Sequence, residues 1–223
     1  PKLGVESRPV FALFESFFIT LPLEYSEVQT SHIDLDVRES LESRSRTLMS
    51  TLAKAKSGVR CSRGGKWYSR AARALSQSDQ TFATRVVANG KYLCTGGVGQ
   101  ISRTFVESID AGCTPGVLVV LAGRRGASEV GDALKRIVNP GVLIQYEKCD
   151  VCNGEEVRAL WRKFGIFDGV VHAAGVPGGN VLASRNAEQA ARVIRPKLLG
   201  TLSLIDVASP SCWMILCSSL VTI

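Results

Sequence analysis

The stretch Lys91-Tyr92-Leu93-Cys94-Thr95-Gly96-Gly97-Val98-Gly99-Gln100-Ile101-Ser102-Arg103 decides how this chain is read. Tyr92, Leu93 and Cys94 form a short apolar run, as a buried strand does. Thr95, Gly96, Gly97 and Gly99 come directly after it, and Ile101, Phe105, Val106 and Ile109 then repeat at helical spacing. A buried strand, a glycine turn and a helix start are what a nucleotide pyrophosphate needs. Glycines let the backbone turn tightly and approach phosphates, and the free N–H groups of the helix N-terminus supply donors. A glycine cluster alone is also compatible with a plain tight turn, so the downstream residues must supply further strands and helices at βαβ spacing.

From Gly90 onward the alternation is regular. Strand Tyr92–Cys94 leads to helix Gly99–Ala111, and strand Val117–Ala122 to helix Ser128–Val138. Strand Val142–Glu147 leads to helix Gly154–Phe164. Strand Gly169–His172 leads to a longer helical stretch, Asn186–Val207, interrupted at Pro196, and Trp213–Cys217 is the last strand. Strands alternating with helices argue an α/β fold, a Rossmann-like doubly wound parallel sheet. The first 88 residues are less regular. Residues 1–26 read as a helix with Phe11, Phe14, Phe18 and Leu21 on one face, Val28–Leu35 as a strand, and Val37–Lys56 as a second helix. Ser57-Gly58 ends that helix, Gly64-Gly65 opens a short strand at Lys66–Ser69, and Arg70–Arg85 reads as a linker. So little βα structure is expected to pack on the second half rather than close a sheet of its own. The expected division is residues 1–88 and residues 89–223.

Composition is that of a globular protein, 45% hydrophobic and 21% charged. Seven cysteines, an odd number with several in apolar runs, favour reduced thiols in a cytoplasmic protein over a disulfide framework. Cys149 and Cys152 make a C-x-x-C, but no second pair completes a tetrahedral set, so no metal is expected. The Phe- and Leu-rich run Pro9–Leu23 is too short to span a bilayer and holds Glu15 and Pro22, which favours a core helix. The net charge of +7 is compatible with a solvated surface or with docking of an acidic protein. Nucleic-acid binding would need basic clusters with aromatic platforms, and only short clusters such as Arg60, Arg63 and Lys66 occur.

The strand ends carry the candidate chemistry. Gly123-Arg124-Arg125-Gly126 ends the second strand of the regular half, with no acid before Glu129. A carboxylate there would bond the ribose of NAD, whereas arginine accommodates the 2′-phosphate of NADP. Asp150, beside Val151, could accept from an adenine amino group or cap the next helix. His172-Ala173-Ala174-Gly175 offers small residues at a strand tip, against which a flat cofactor can lie. His172 itself reads as structural.

Together these segments resemble the ketoreductase domain of modular polyketide synthases, in the short-chain dehydrogenase/reductase superfamily. The matching pieces are Y-L-C-T-G-G-V-G-Q-I-S-R, L-A-G-R-R-G, C-D-V, G-V-V-H-A-A-G-V, V-I-R-P-K-L-L-G-T and L-C-S-S-L. L-P-L-E-Y-S-E-V-Q-T-S-H-I-D-L-D and R-G-G-K-W-Y-S-R are similar to that family's N-terminal structural subdomain, a truncated Rossmann unit. The resemblance implies reduction of a β-ketoacyl thioester, carried by an acidic acyl carrier protein, to the β-hydroxyacyl thioester with NADPH. It implies a cofactor site at Thr95, Gly96, Gly97, Val98, Gly99, Gln100, Ile101, Gly123, Arg124, Asp150, Val151, His172, Ala173, Ala174, Gly175 and Lys197. It also implies catalytic roles for Lys197, in Pro196-Lys197-Leu198-Leu199-Gly200, and for Ser219, the second of a serine pair. The family's tyrosine acid would fall beyond Ile223, so the chain reads as a C-terminally incomplete piece expected to bind NADPH without turnover.

Departures from the family pattern are Gln100 and Ser102, where glycines are usual, and Gly123, where a serine is common. Gln100 is expected to narrow the approach to the pyrophosphate, and Ser102 to crowd the helix against the strand. The paired aspartates that mark one stereochemical type are absent after Gly175, which leaves product configuration open. A non-catalytic ketoreductase relic within a megasynthase is the alternative, and a basic nucleic-acid-binding module rests on charge alone.

Overall fold

The computed structural model describes residues 14–53, 58–69, 71, 86–178 and 181–218. They fall into two compact units: residues up to 71 together with 181–184, and residues 86–178 together with 185–218. The expected linker Arg70–Arg85, apart from Ala71, and the start of the N-terminal helix, with Phe11, lie outside the described residues.

In the first unit, α1 (Glu15–Glu24) precedes β1 (Ser31–Leu35), α2 (Leu41–Leu52), β2 (Gly58–Arg63) and β3 (Lys66–Ser69). The strands order as β1-β2-β3, with β1 and β2 parallel and β2 and β3 antiparallel. Gly64 and Gly65, at φ of 56° and 73°, make a two-residue hairpin turn whose positive φ values match strand twist. Two expectations are corrected here. The unit closes a small sheet of its own, because β2, unread in the sequence, is its central strand. Val59, Arg60, Cys61, Ser62 and Arg63 look too polar for a strand, but partners on both sides override composition. Nor is α1 a core helix: none of its residues is buried, since one small sheet covers only part of its surface. Arg63 of the short basic cluster is paired with Asp34 on the neighbouring strand. The second helix starts later than expected because Asp36 holds a turn, accepting from the Arg38 N–H (3.0 Å) and guanidinium (2.8 Å). Ser40 then caps α2 by accepting from the Ser43 N–H (3.2 Å). The Leu182 N–H donates to both oxygens of the Glu24 carboxylate (2.8 and 2.7 Å), which ties a single 3-10 turn, Leu182–Ser184, to α1.

The second unit runs β4 (Lys91–Thr95), α3 (Gln100–Glu107), β5 (Leu118–Gly123), α4 (Ala127–Leu134), β6 (Leu143–Lys148), α5 (Gly154–Phe164), β7 (Gly169–His172), α6 (Ala187–Val207) and β8 (Trp213–Leu216). The five strands are all parallel, in the order β6-β5-β4-β7-β8. Strand period sorts the core onto two faces. Tyr92, Cys94, Val119, Leu121 and Val171 pack with Val106, Ile109 and Ile137. Leu93, Val120, Ala122 and Val170 pack with Val157, Leu160 and Leu204. Helices thus cover both faces, which is why these strands read as continuous apolar runs. Each large side chain taken fully out of water contributes about 1.5–3 kcal/mol. On β7, Gly169 leaves room for the Trp213 indole, which a Cβ would approach to 2.1 Å.

The long helix α6 is continuous through Pro196, contrary to the expected interruption. Its buried residues are Pro196, Gly200 and Leu204, one turn apart each. A Cβ on Gly200 would stand 2.8 Å from Val151, so α6 lies close against the strand ends. That packing offsets the hydrogen bond that proline deletes. Asn186 and Gln189 close a capping box at its start, with bonds of 2.8 and 3.2 Å. Among the described residues, no helix is long and apolar enough to cross a membrane.

Candidate functional site

The chain order reverses at β4, which pairs with β5 on one side and β7 on the other. In open α/β sheets ligands bind outside the carboxyl ends of the strands at such a switch point. A cleft of about 190 Å3 opens there. Its floor is glycine. Gly96 and Gly97 sit at φ of 101° and 63°, and their N–H groups both donate to the Ala122 carbonyl (3.0 and 2.8 Å). The turn is thereby tied to the end of β5. A Cβ on Gly96 would come within 2.9 Å of the Ala173 carbonyl oxygen. The turn feeds α3, whose N-cap, Gly99, has no side chain to satisfy the first helical N–H groups. Those donors, at the positive end of the helix, suit an anion.

The rim is cationic. Arg124 and Arg125 line the cleft, and among the described residues neither guanidinium has a carboxylate partner. Burial pushes the nearby Cys152 thiol up, while Arg195 and Arg124 pull it the other way. Cys149, also in the lining, is buried and its thiol is pushed up to about 12, so it stays protonated.

A buried relay supports the cleft. The Ala174 N–H donates to Thr95 Oγ1 (3.2 Å), Thr95 Oγ1 meets His172 Nδ1 (2.7 Å), and His172 Nε2 meets the Pro196 carbonyl (3.1 Å). A carbonyl can only accept, so Nε2 carries the proton and Nδ1 accepts from the Thr95 hydroxyl. One neutral imidazole therefore joins the ends of β4 and β7 to α6. Desolvation lowers the His172 pKa first, opposed by the bond to Pro196 and reinforced by the Lys197 charge. Linkage sets the sign of the effect on stability. Below about 6.5 the unfolded chain binds a proton that the folded chain refuses. The stability is fully present above that pH and is lost as pH falls through the lower folded value. Urea midpoints measured from neutral to mildly acid pH are expected to fall in the native chain, with a flatter dependence in His172→Gln. Equal slopes would show that His172 does not carry the pH dependence.

Residues 90–223 match the KR domain family model. The chain belongs to the KR domain family of modular polyketide synthases. Polyketide synthase PksN of Bacillus subtilis (strain 168) is 34% identical over 139 residues, covering 59% of this chain and 2% of that protein. PksL of the same organism is 31% identical over 120 residues, covering 52% of this chain and 3% of that protein. The chain thus spans a small fraction of the relatives it matches. An N-terminal ketoreductase from the macrolactin assembly line superposes with a TM-score of 0.74 at 25% identity, covering 97% of this chain and 45% of that one. A ketoreductase domain from the bacillaene assembly line shares the fold, with a TM-score of 0.76 at 21% identity over 95% of this chain and 52% of that one. These matches place the KR domain in the short-chain dehydrogenase/reductase superfamily of oxidoreductases, whose members use nicotinamide cofactors.

In this KR domain the predicted residues Gly96, Gly97, Val98, Gly123, Arg124, Asp150, Val151, Ala174 and Gly175 come together around the cleft. Thr95 and His172 lie beneath it, and the Ala173 carbonyl abuts Gly96. Gln100 and Ile101 are not part of the lining. The Gln100 amide donates to Thr104 Oγ1 (3.4 Å), along its own helix, so Gln100 does not narrow the cleft as expected. Ser102 is accommodated in the packing at 1% exposure, its Oγ without a hydrogen-bond partner among the described residues. Asp150 does not cap α5. It accepts from the Cys152 N–H (3.0 Å) one turn early, and Asn153 is the cap, accepting from the Glu155 N–H (3.0 Å). Lys197 adjoins Pro196, which lines the cleft, and its Nζ donates to the Cys217 carbonyl at the end of β8 (3.3 Å). Ser219 lies outside the described residues. Tyr146, Arg125, Cys149, Ala122 and Pro196 line the cleft without having been foreseen. For Tyr146 the only available signal was its alternation with Ile144 on β6.

Proposed function

We propose that this KR domain reduces a β-ketoacyl thioester, borne by an acyl carrier protein, to the β-hydroxyacyl thioester with NADPH. The observation that carries the reading is the pairing of a glycine floor with two guanidinium groups that have no carboxylate partner among the described residues, at one switch-point cleft. The cleft fits a dinucleotide, because Gly96 and Gly97 line it beside two arginines and no side chain caps the first N–H groups of α3. Gly96, Gly97 and the start of α3 would hold the pyrophosphate, and Arg124 the 2′-phosphate. Asp150 would face the adenine, and Ala174 and Gly175 would let the cofactor lie against the backbone. When bound, NADPH supplies the hydride.

Lys197 is assigned to the ribose and to lowering the pKa of the acid by its charge. Ser219 is assigned to the substrate carbonyl oxygen, where negative charge develops. The net charge of +7 favours encounter with an acidic carrier. The test is loss of nicotinamide absorbance when the full-length polypeptide bearing this domain meets NADPH and a β-ketoacyl thioester. NADPH consumption that requires the thioester is the expected result. Binding of NADPH with no consumption would instead make this a non-catalytic nucleotide-binding domain.

A further inference from the structure

We infer that Tyr146 is a positioning residue that holds the arginine loop against the glycine turn and thereby sets the cofactor preference of this cleft. Three contacts converge on its phenol. The ring rests on the apolar core face beside Ile144. Its hydroxyl donates to the Arg125 carbonyl (2.9 Å), across a separation of 21 residues. The same hydroxyl fills the space over Gly123, where a Cβ would come within 2.8 Å of Oη and 3.0 Å of Gly97 Cα. The ring therefore wedges between the turn after β4 and the loop after β5.

The Gly126 N–H, of the same peptide unit as the Arg125 carbonyl, donates to Glu129 Oε1 (2.7 Å), and the other end of the loop is fixed independently, by the Cys149 N–H donating to the Gly123 carbonyl (2.8 Å). Arg124 and Arg125 lie between the Gly123 carbonyl and the peptide that joins Arg125 to Gly126. A loop held at both ends presents its guanidinium groups in one place, and less ordering entropy remains to be lost when a phosphate binds. The hydroxyl donates to a carbonyl and has one proton, so it cannot also donate to a phosphate. Its action is through the loop.

This inference rests on the NADPH reading above, and the experiment separates the two. Fluorescence titration gives Kd for NADPH and NADH in the native chain and in Tyr146→Phe, which keeps the ring and its packing. One net hydrogen bond corresponds to a loss of about three- to tenfold. That loss is expected for NADPH, so that the ratio of the two Kd values moves towards one. In an Arg124→Ala background the same Tyr146→Phe change is expected to cost NADPH little, because residues acting as a unit are non-additive. A native chain without preference would sink the NADPH reading itself. A native preference that Tyr146→Phe leaves intact, or a loss of equal size in the Arg124→Ala background, would overturn the role of Tyr146 alone.

Discussion

Gly96→Ala is expected to destabilise the domain by about 3–5 kcal/mol and to abolish cofactor binding. Two costs add. At φ of 101° an L side chain is strained, by about 1–3 kcal/mol. The new Cβ would also stand 2.9 Å from the Ala173 carbonyl oxygen and 3.0 Å from its carbon. Both are backbone atoms of the strand-end segment after β7, so no side-chain rotation relieves the contact. Moving Gly96 would break its bond to the Ala122 carbonyl and shift the start of α3. Set against a total stability of roughly 5–15 kcal/mol, the loss is large. Urea denaturation measures it, and nicotinamide fluorescence reports binding. Gly131→Ala is the control, since nothing lies within 4 Å of a Cβ there and the residue is inside α4. It is expected to be neutral or to stabilise by about 0.5–1 kcal/mol. Equal stability of the two variants would show that the turn is not under the constraint described.

Arg124→Asp is expected to weaken NADPH binding by about 2–3 kcal/mol, roughly 30- to 150-fold, and to narrow or invert the preference over NADH. Arg124 has no carboxylate to neutralise it among the described residues, and it stands at the end of the strand beside the glycine turn. Reversing its charge removes a charge-assisted contact and places repulsion against the same phosphate. NADH lacks that phosphate and should lose far less. Titration of both cofactors against both proteins decides the matter. A parallel loss for the two would mean that Arg124 acts on the pyrophosphate or on the fold.

The regular half of the chain was readable because its physics is local. Each parallel strand is buried on both faces, so Leu93, Val120 and Val170 stand in unbroken apolar runs. The segments Gly154–Phe164 and Gly169–His172 have in the structure the bounds that their pattern predicts. The glycines at 96 and 97 announced a turn that only positive φ permits. The first unit was harder. β2 has the composition of a basic loop, and it is a strand because β1 and β3 flank it.

Local pattern therefore determined the βα order, the glycine turn and the arginines at the end of β5, since each depends on neighbours within a few residues. Tertiary packing decided the rest. Pro196 ought to break a helix, and it does not, because Gly200 and Leu204 bury the same stripe of α6. His172 gained its fixed protonation from Thr95, 77 residues away, and from Pro196, 24 residues away. Tyr146 entered the cleft because Gly123, on the adjacent strand, lacks the one atom that would exclude it. Such roles arise only when separate strands are brought into register, so no window along the chain contains them.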